Sequence, residues 1–280
     1  MSIRLIAIDL DGTLLNSRSE ISPANLRALS ATAERGINLV IVTGRRSHSA
    51  QRFVNQIPCP VTLIASNGAL IVSASGEVLH RDFLPSDVAR RVLKTAREYR
   101  PYAVAIFDKA GRGQILMENN AVLEGPLGWY LKNYPASLMQ VPDLEAAITA
   151  DPIQVMFGGP PGRIEAVEPL LLAAPVAECV HVTWTKYLTR DISILDVMNK
   201  GCSKGKTLKL WAERCGVKPS EVMAIGDNFN DLEMLRFSGQ PVVMGNSSPG
   251  LARENWPVTR TNDKDGVAAA IETYVLNAER

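Results

Sequence analysis

The sequence has 280 residues, of which 46% are hydrophobic and 21% are charged, as in an ordinary globular protein. Its 30 basic and 29 acidic side chains leave a formal net charge of +1, which argues against a nucleic-acid or anionic-membrane partner. The apolar run at the start is too short for a signal peptide, and no run approaches the ~20 residues of a membrane helix. Because the four cysteines form no C-x-x-C pair, we expect a cytoplasmic protein with reduced thiols.

The first part of the chain alternates strands and helices. LIAIDL (5–10) and INLVIVTG (37–44) are apolar runs typical of buried parallel strands, and LIASNGALIV (63–72) is a third, with an Asn-Gly turn inside it. Between the first two, Ser22 can cap a helix that begins at Pro23. This order predicts βαβ units and an open parallel sheet.

The middle of the chain has a different pattern. Amphipathic helices alternate there with short strands and with loops rich in glycine and proline, which predicts a separate α+β lobe. The helices are expected at 87–99 and 163–173, and the strands at 103–108, 153–158 and 180–185.

From residue 190 the first pattern returns. Strands are expected at ISILDV (192–197), EVMAIGD (221–227) and PVVMGN (241–246), separated by amphipathic helices. The sequence therefore predicts an α/β fold: a doubly wound Rossmann-like core with a parallel sheet, formed by residues 1–84 and 190–280, into which an α+β lobe of residues 85–189 is inserted.

Polar side chains follow the apolar strands of the predicted core. In open α/β sheets ligands bind beyond the carboxyl ends of the strands, so these side chains are candidate site residues. They are Asp9, Asp11, Thr43, Asn67, Asp227, Asn230 and Asp231, and the backbone of Gly44 and Gly68 lies beside them.

The acids among them suggest a division of labour. Two carboxylates at the spacing of Asp9 and Asp11 can act as nucleophile and as proton donor and acceptor. Asp227, from another strand, would complete an all-oxygen site of the kind that selects Mg²⁺. Such a cation would offset the repulsion between a carboxylate nucleophile and a phosphate dianion.

The neighbouring V-T-G-R segment (42–45) is a weaker signal. The hydroxyl of Thr43 and the backbone N–H of Gly44 lie where they can meet phosphate oxygens. Arg45 is either a supporting group or a solvated charge, and we favour the solvated charge.

The segment GCSKGKT (201–207) resembles a P-loop but does not match one. The pattern G-x-x-x-x-G-K-[ST] needs four residues between its glycines, and Gly201 leaves only three before Gly205. A helix that begins near Ser203 would instead place Lys204 in its first turn, where an ammonium and the helix dipole bind phosphate. Lys206 would then point to solvent.

Four motifs in order resemble those of the haloacid dehalogenase-like hydrolase superfamily. They are D-L-D-G-T-L (9–14), V-T-G-R (42–45), S-K-G (203–205) and G-D-N-F-N-D (226–231). The segments N-G-A (67–69), M-G-N (244–246) and D-G-V (265–267), with the insertion after the first, are similar to the Cof-type, C2-capped (subclass IIB) magnesium-dependent phosphatases.

This resemblance implies roles for single residues. Asp9 would form an aspartyl-phosphate, and Asp11 would protonate the leaving alcohol and then activate water. The phosphoryl group would be held by the backbone N–H of Leu10 and by Thr43, Gly44, Lys204 and Asn230. The magnesium ion would be held by Asp9, Asp227 and the backbone carbonyl of Asp11, with Asp231 and Asn67 in support. Thr207 departs from the alanine that the family usually has.

The resemblance implies a phosphomonoester hydrolase acting on a small cytoplasmic metabolite through a C2-type cap. Alternatives that stay open are a phosphomutase acting on a sugar phosphate and a non-catalytic regulator that binds a phosphorylated metabolite. The acid at Asp11 disfavours a dehalogenase. Substrate and oligomeric state are left open by the sequence. A substrate pocket in the cap could be lined by Trp129, Trp184, Glu118, Asn119 and Asn120. For the two tryptophans we favour the hypothesis that they pack in the core of the cap.

Overall fold

The computed structural model describes residues 2–109, 111–118, 128, 131, 135–187 and 190–277, without the side chains of residues 252 and 253. The chain divides into two compact units. The first joins Met1–Arg81 to Ser203–Arg280, and the second is Asp82–Cys202. The second unit thus lies within the sequence of the first.

The strands of the described chain are numbered in chain order. They are β1 (Leu5–Asp9), β2 (Asn38–Val42), β3 (Thr62–Ala65), β4 (Leu70–Val72), β5 (Val78–Arg81), β6 (Ala103–Ile106), β7 (Ile115–Met117), β8 (Leu138–Gln140), β9 (Gln154–Gly159), β10 (Val180–Tyr187), β11 (Ile192–Asn199), β12 (Val222–Gly226) and β13 (Gln240–Val243). The α-helices are α1 (Pro23–Glu34), α2 (Ser47–Val54), α3 (Ser86–Thr95), α4 (Leu144–Ala147), α5 (Pro161–Ile164), α6 (Val167–Leu172), α7 (Lys204–Arg214), α8 (Leu232–Phe237) and α9 (Gly266–Ile271).

The first unit is built on a seven-stranded sheet in the order β13-β12-β1-β2-β3-β4-β5. The strands from β13 to β3 run parallel, and β4 and β5 add an antiparallel edge after the Asn-Gly turn. All five residues of β1 and of β12 are buried, as expected for parallel strands covered on both faces. The predicted α/β class with a mostly parallel core sheet is confirmed.

Two helix starts follow the predicted capping chemistry. The hydroxyl of Ser22 accepts a hydrogen bond from the N–H of Asn25, and Pro23 occupies the first turn of α1. The hydroxyl of Ser203 accepts from the N–H of Lys206 at the start of α7. Lys204 is therefore the first residue of its helix.

The second unit has a six-stranded sheet in the order β10-β11-β9-β6-β7-β8. Its strand pairs are antiparallel except for β7 and β8. Helix α3 packs through Val88 and Val92 into a core with Phe157 and Leu195 from the central strands.

The second boundary between the units differs from the one predicted. We expected residues from 190 onward to return to the parallel core, but β11 lies between β10 and β9 in the antiparallel sheet. The chain re-enters the first unit only at Ser203. The predicted boundary at 189/190 therefore moves to 202/203, and the one at 84/85 moves to 81/82. The ISILDV segment has the composition of a parallel core strand because all of its residues are buried in the antiparallel sheet.

None of the helices in the described ranges has the length and apolarity needed to cross a bilayer.

Candidate active site

The parallel register brings four strand ends to one edge of the first sheet. Asp9, the last residue of β1, pairs with Val42 of β2, and Ile8 pairs with Ile225 of β12. Thr43 follows β2 directly, and its N–H donates to the carbonyl of Ile64 in β3. The polar residues that follow these strands therefore lie close together, as predicted for an open α/β sheet.

A buried lysine stands at the centre of this edge. The Nζ of Lys204 lies 2.6 Å from Oδ1 of Asp9 and 2.6 Å from Oδ1 of Asp231. The side chains of Lys204 and Asp231 are 1% and 0% exposed, so this ion pair is shielded from water. Lys206, two positions further along α7, is exposed, as we predicted.

Asp231 also organises the loop after β12. Its Oδ2 accepts hydrogen bonds of 3.0 Å from the backbone N–H groups of Asp227 and Asn228. Both oxygens of Asp231 are thus engaged, one by Lys204 and one by two amides. The Oδ1 of Asp227 accepts from the hydroxyl of Thr13 at 3.0 Å. Sequence reasoning missed Thr13, although it belongs to the same D-G-T turn as Asp11.

The buried acids outnumber the buried base. Burial, followed by the charge of the nearby Asp231 carboxylate, raises the pKa of Asp9 to about 7, although the Lys204 ammonium acts in the opposite direction. Burial, with the charges of Asp9 and Asp231, also raises the pKa of Asp227 well above its ordinary value. For Lys204, burial opposes the charge, but the carboxylates of Asp231 and Asp9 prevail and raise the pKa.

The donor set fits a hard divalent cation. Carboxylate oxygens of Asp9, Asp227 and Asp231 lie within 4.8 Å of one another, and all three residues are buried. In the described part of the chain, the Oδ2 atoms of Asp9 and Asp227 accept no hydrogen bond, so one oxygen of each can serve as a ligand. A divalent cation would balance the excess of buried negative charge.

Gly12 is required beside this acidic cluster. Its φ is +81°, and a Cβ at this position would lie 2.5 Å from Oδ2 of Asp227. We expect Gly12→Ala to lower kcat/KM by about 10²-fold, because a small displacement of Asp227 disturbs the catalytic geometry. The control is Gly76→Ala, whose φ is +87° but whose Cβ would meet no atom within 4 Å. Both variants carry a backbone strain of about 1–2 kcal/mol. Equal values of kcat/KM for the two variants would show that Asp227 tolerates the methyl group.

Asp11 lies at the edge of the buried cluster, with a side chain that is 43% exposed. Nε of Arg45 donates to its Oδ2 at 2.6 Å, and an Nη of the same guanidinium donates to Oδ1 at 2.5 Å. The side chain of Arg45 is only 16% exposed, so the prediction that this residue is a solvated charge was wrong. An arginine three residues beyond the end of β2, at a sheet edge rich in acids, was the available signal for this pair.

Asn67 lies in a turn with an uncommon backbone conformation. Ser66 and Asn67 both have φ of 53°, and Gly68 has φ of +109°. The side-chain amide of Asn230 donates to Oδ1 of Asn67 at 3.0 Å. A Cβ on Gly44 would lie 3.0 Å from the same oxygen. The structure thus brings Gly44, Asn67 and Asn230 into one cluster.

Helix α7, which carries Lys204, also holds the turn at Ser66–Gly68 in place. The hydroxyl of Thr207 donates to the carbonyl of Gly68 at 2.9 Å, and both residues are buried. Thr207, which stands where the resembled family usually has alanine, therefore adds a hydrogen bond that an alanine could not make.

The hydroxyl of Thr43 is oriented by the backbone. Its oxygen accepts a hydrogen bond of 3.1 Å from the N–H of Arg45, which leaves the hydroxyl proton to be donated elsewhere. Thr43 is 1% exposed. The roles predicted for the Leu10 amide and for the Asp11 carbonyl stay predictions.

The polar cap residues singled out from the sequence have structural partners where they are described. Glu118 accepts from Nε of Arg100 at 2.8 Å, and the indole N–H of Trp184 donates to Glu168 at 2.8 Å. Asn119, Asn120 and Trp129 lie outside the described residues.

Comparison with known proteins agrees with this site. The family model of haloacid dehalogenase-like hydrolases matches residues 6–271. The chain belongs to this family. An HMP-PP phosphatase from Escherichia coli O81 (strain ED1a) is 31% identical to this hydrolase over 253 residues, which are 90% of this chain and 87% of that protein.

Solved structures support the same assignment. A phosphatase of the superfamily from Bacteroides thetaiotaomicron is 28% identical to the hydrolase, with a TM-score of 0.80 over 98% of this chain and 95% of that one. A sugar phosphatase of subclass IIB is 21% identical, with a TM-score of 0.76 over 97% and 98% of the two chains, and this likeness concerns the fold. The predicted Cof-type phosphatase class is confirmed.

Proposed function

We propose that this hydrolase is a magnesium-dependent phosphomonoesterase that acts on a small phosphorylated metabolite through an aspartyl-phosphate at Asp9. The observation that carries the proposal is the contrast between its two neighbouring acids. Asp9 is buried and held by Lys204, whereas Asp11, two residues on, is exposed and held by Arg45. One carboxylate is fixed for attack, and the other is accessible for proton transfer.

In the first step, a carboxylate oxygen of Asp9 attacks phosphorus and the bond to the leaving oxygen breaks. The ammonium of Lys204 fixes Asp9 through Oδ1 at 2.6 Å and would attract the phosphoryl oxygens. The hydroxyl of Thr43, whose oxygen already accepts from the backbone, would donate its proton to the same group. The N–H groups of Leu10 and Gly44 and the amide of Asn230 would complete the phosphoryl cradle.

Asp11 moves the protons of both steps. As a carboxylic acid it donates a proton to the leaving alcohol oxygen, and as a carboxylate it then takes a proton from the water that attacks phosphorus. The second displacement returns Asp9 to its carboxylate form and releases inorganic phosphate.

The residues that would hold Mg²⁺ are Asp9, Asp227 and the backbone carbonyl of Asp11. Asp231 supports them, since its oxygens already accept from Lys204 and from two amides. When bound, the cation supplies charge neutralisation between the nucleophile and the phosphoryl oxygens.

Removing the metal tests this arrangement. We expect chelation by EDTA to abolish turnover, and Mg²⁺ to restore it. We also expect Mg²⁺ to raise the Tm of the wild-type protein, because a ligand that binds only the folded state stabilises it. Asp227→Asn should remove most of this rise in Tm. A chelated protein with full activity would contradict the magnesium assignment.

A panel of phosphorylated metabolites tests the substrate class. The panel should contain HMP-PP, for which the Escherichia coli relatives are named, together with sugar phosphates, nucleotides, flavin mononucleotide and pyridoxal phosphate. We expect magnesium-dependent release of inorganic phosphate from at least one of them. Formation of an isomeric sugar phosphate without phosphate release would favour a mutase, and no turnover of any compound would overturn the proposal.

A further inference from the structure

Arg45 binds Asp11 through a specific geometry as well as through its opposite charge. Its guanidinium meets the carboxylate with two parallel hydrogen bonds, Nε to Oδ2 and Nη to Oδ1. This planar, two-point geometry fixes the plane of the carboxylate, which a single ammonium donor would leave free to rotate. Among the described residues, the Asp11 carboxylate accepts these two hydrogen bonds and no other.

Arg45 is itself held on its other sides. Its guanidinium carbon lies 4.8 Å from the centre of the Phe53 ring, and that ring is 4% exposed. The backbone of Arg45 is fixed as well, because its N–H donates to the Thr43 hydroxyl and its carbonyl accepts from the N–H of Ser66 at 2.8 Å. Phe53, Arg45 and Asp11 therefore form a continuous series of contacts from helix α2 to the turn after β1.

A pair of this kind contributes little to stability at a partly exposed site. Its geometry matters more for proton transfer, because a general acid must lie within hydrogen-bond reach of the leaving oxygen in a narrow range of orientations. We infer that Arg45 is a positioning residue that holds the carboxylate of Asp11 in the orientation required for proton transfer to the leaving group. The inference rests on the proposed phosphatase function.

The test compares two classes of phosphate ester. An alkyl phosphate has a poor leaving group that needs protonation, whereas an aryl phosphate such as p-nitrophenyl phosphate leaves without an acid. For Arg45→Ala we expect kcat/KM to fall by about 10- to 100-fold with the alkyl ester and by less than about 3-fold with the aryl ester. Arg45→Lys should behave like Arg45→Ala, because lysine cannot form both hydrogen bonds.

The matched control is Arg52→Ala. Arg52 lies 4.5 Å from the same Phe53 ring but makes no ion pair with an acid in the described chain, so both esters should be hydrolysed at the wild-type rate. A second test uses Asp11→Asn as background, in which adding Arg45→Ala should produce no further loss with the alkyl ester. Circular dichroism and urea unfolding identify variants that fail to fold, and Arg45→Lys is then the milder replacement.

The outcomes separate the inference from the function on which it rests. An equal fall with both esters, or no fall with either, in folded Arg45 variants would overturn the positioning role while leaving the phosphatase in place. An additional loss in the Asp11→Asn background would also overturn it. A wild-type protein that releases phosphate from neither ester and from no compound of the metabolite panel would overturn the proposed function and this inference together.

Discussion

Replacing Asp9 by asparagine is expected to lower kcat by at least about 10⁴-fold, because an amide cannot act as the nucleophile. Binding and charge stabilisation by the remaining groups would leave only a small residual rate. The measurement is kcat for the best substrate of the metabolite panel, at saturating Mg²⁺, with phosphate release as the signal.

The fold should survive this change. Asparagine has nearly the volume of aspartate, and Lys204 keeps its 2.6 Å ion pair with Asp231. The change also removes one of three neighbouring buried carboxylates, of which only Asp9 and Asp231 pair with the Lys204 ammonium. We therefore expect a urea midpoint no lower than that of the wild type. A folded Asp9→Asn protein that kept more than about one hundredth of the wild-type kcat would contradict the assignment of the nucleophile.

Replacing Lys204 by alanine should damage both activity and stability. Asp9 and Asp231 would lose their shared ammonium and stand together in a buried site. Breaking a buried ion pair from one side typically costs about 3–5 kcal/mol, and removing one charged donor from a reacting anion costs about 10²–10³ in kcat. Urea unfolding and steady-state kinetics measure the two effects separately.

Lys206→Ala is the matched control, since it removes the same side chain two positions further along the same helix. Lys206 is exposed, and we expect its loss to change the free energy of unfolding by less than about 0.5 kcal/mol and to leave kcat unchanged. If Lys204→Ala proves too unstable for assay, Lys204→Met restores the apolar volume. Wild-type kcat in either Lys204 variant, or loss of activity in Lys206→Ala, would reverse the roles given to these two lysines.

The parallel core could be predicted from local pattern because its strands are short apolar runs separated by capped helices. Ser22 and Pro23 predicted the start of α1, and the glycine- and proline-rich loops indicated the change of pattern in the middle of the chain. ISILDV was assigned to the wrong unit for the same reason. A central strand of an antiparallel sheet that is buried on both faces has the composition of a parallel one, so only the pairing partners distinguish them.

The acids of the candidate site could also be predicted, since carboxyl ends of neighbouring parallel strands meet at one edge. The pairing of their side chains could not. Lys204 could be placed at a helix start, but its two carboxylate partners come from segments 195 and 27 residues away. The pairing of Arg45 with Asp11 depends on the β1–β2 register and on the position of Phe53, neither of which a local motif contains.

The stereochemical course at phosphorus tests the central claim most directly. An aryl phosphorothioate whose two non-bridging oxygens are different isotopes would be hydrolysed by the wild-type protein in water labelled with the third oxygen isotope, so that the product thiophosphate is chiral. Attack by Asp9 followed by attack of water amounts to two in-line displacements, so we predict thiophosphate with overall retention of configuration. Overall inversion would mean a single displacement by water, and it would contradict the aspartyl-phosphate on which the account depends.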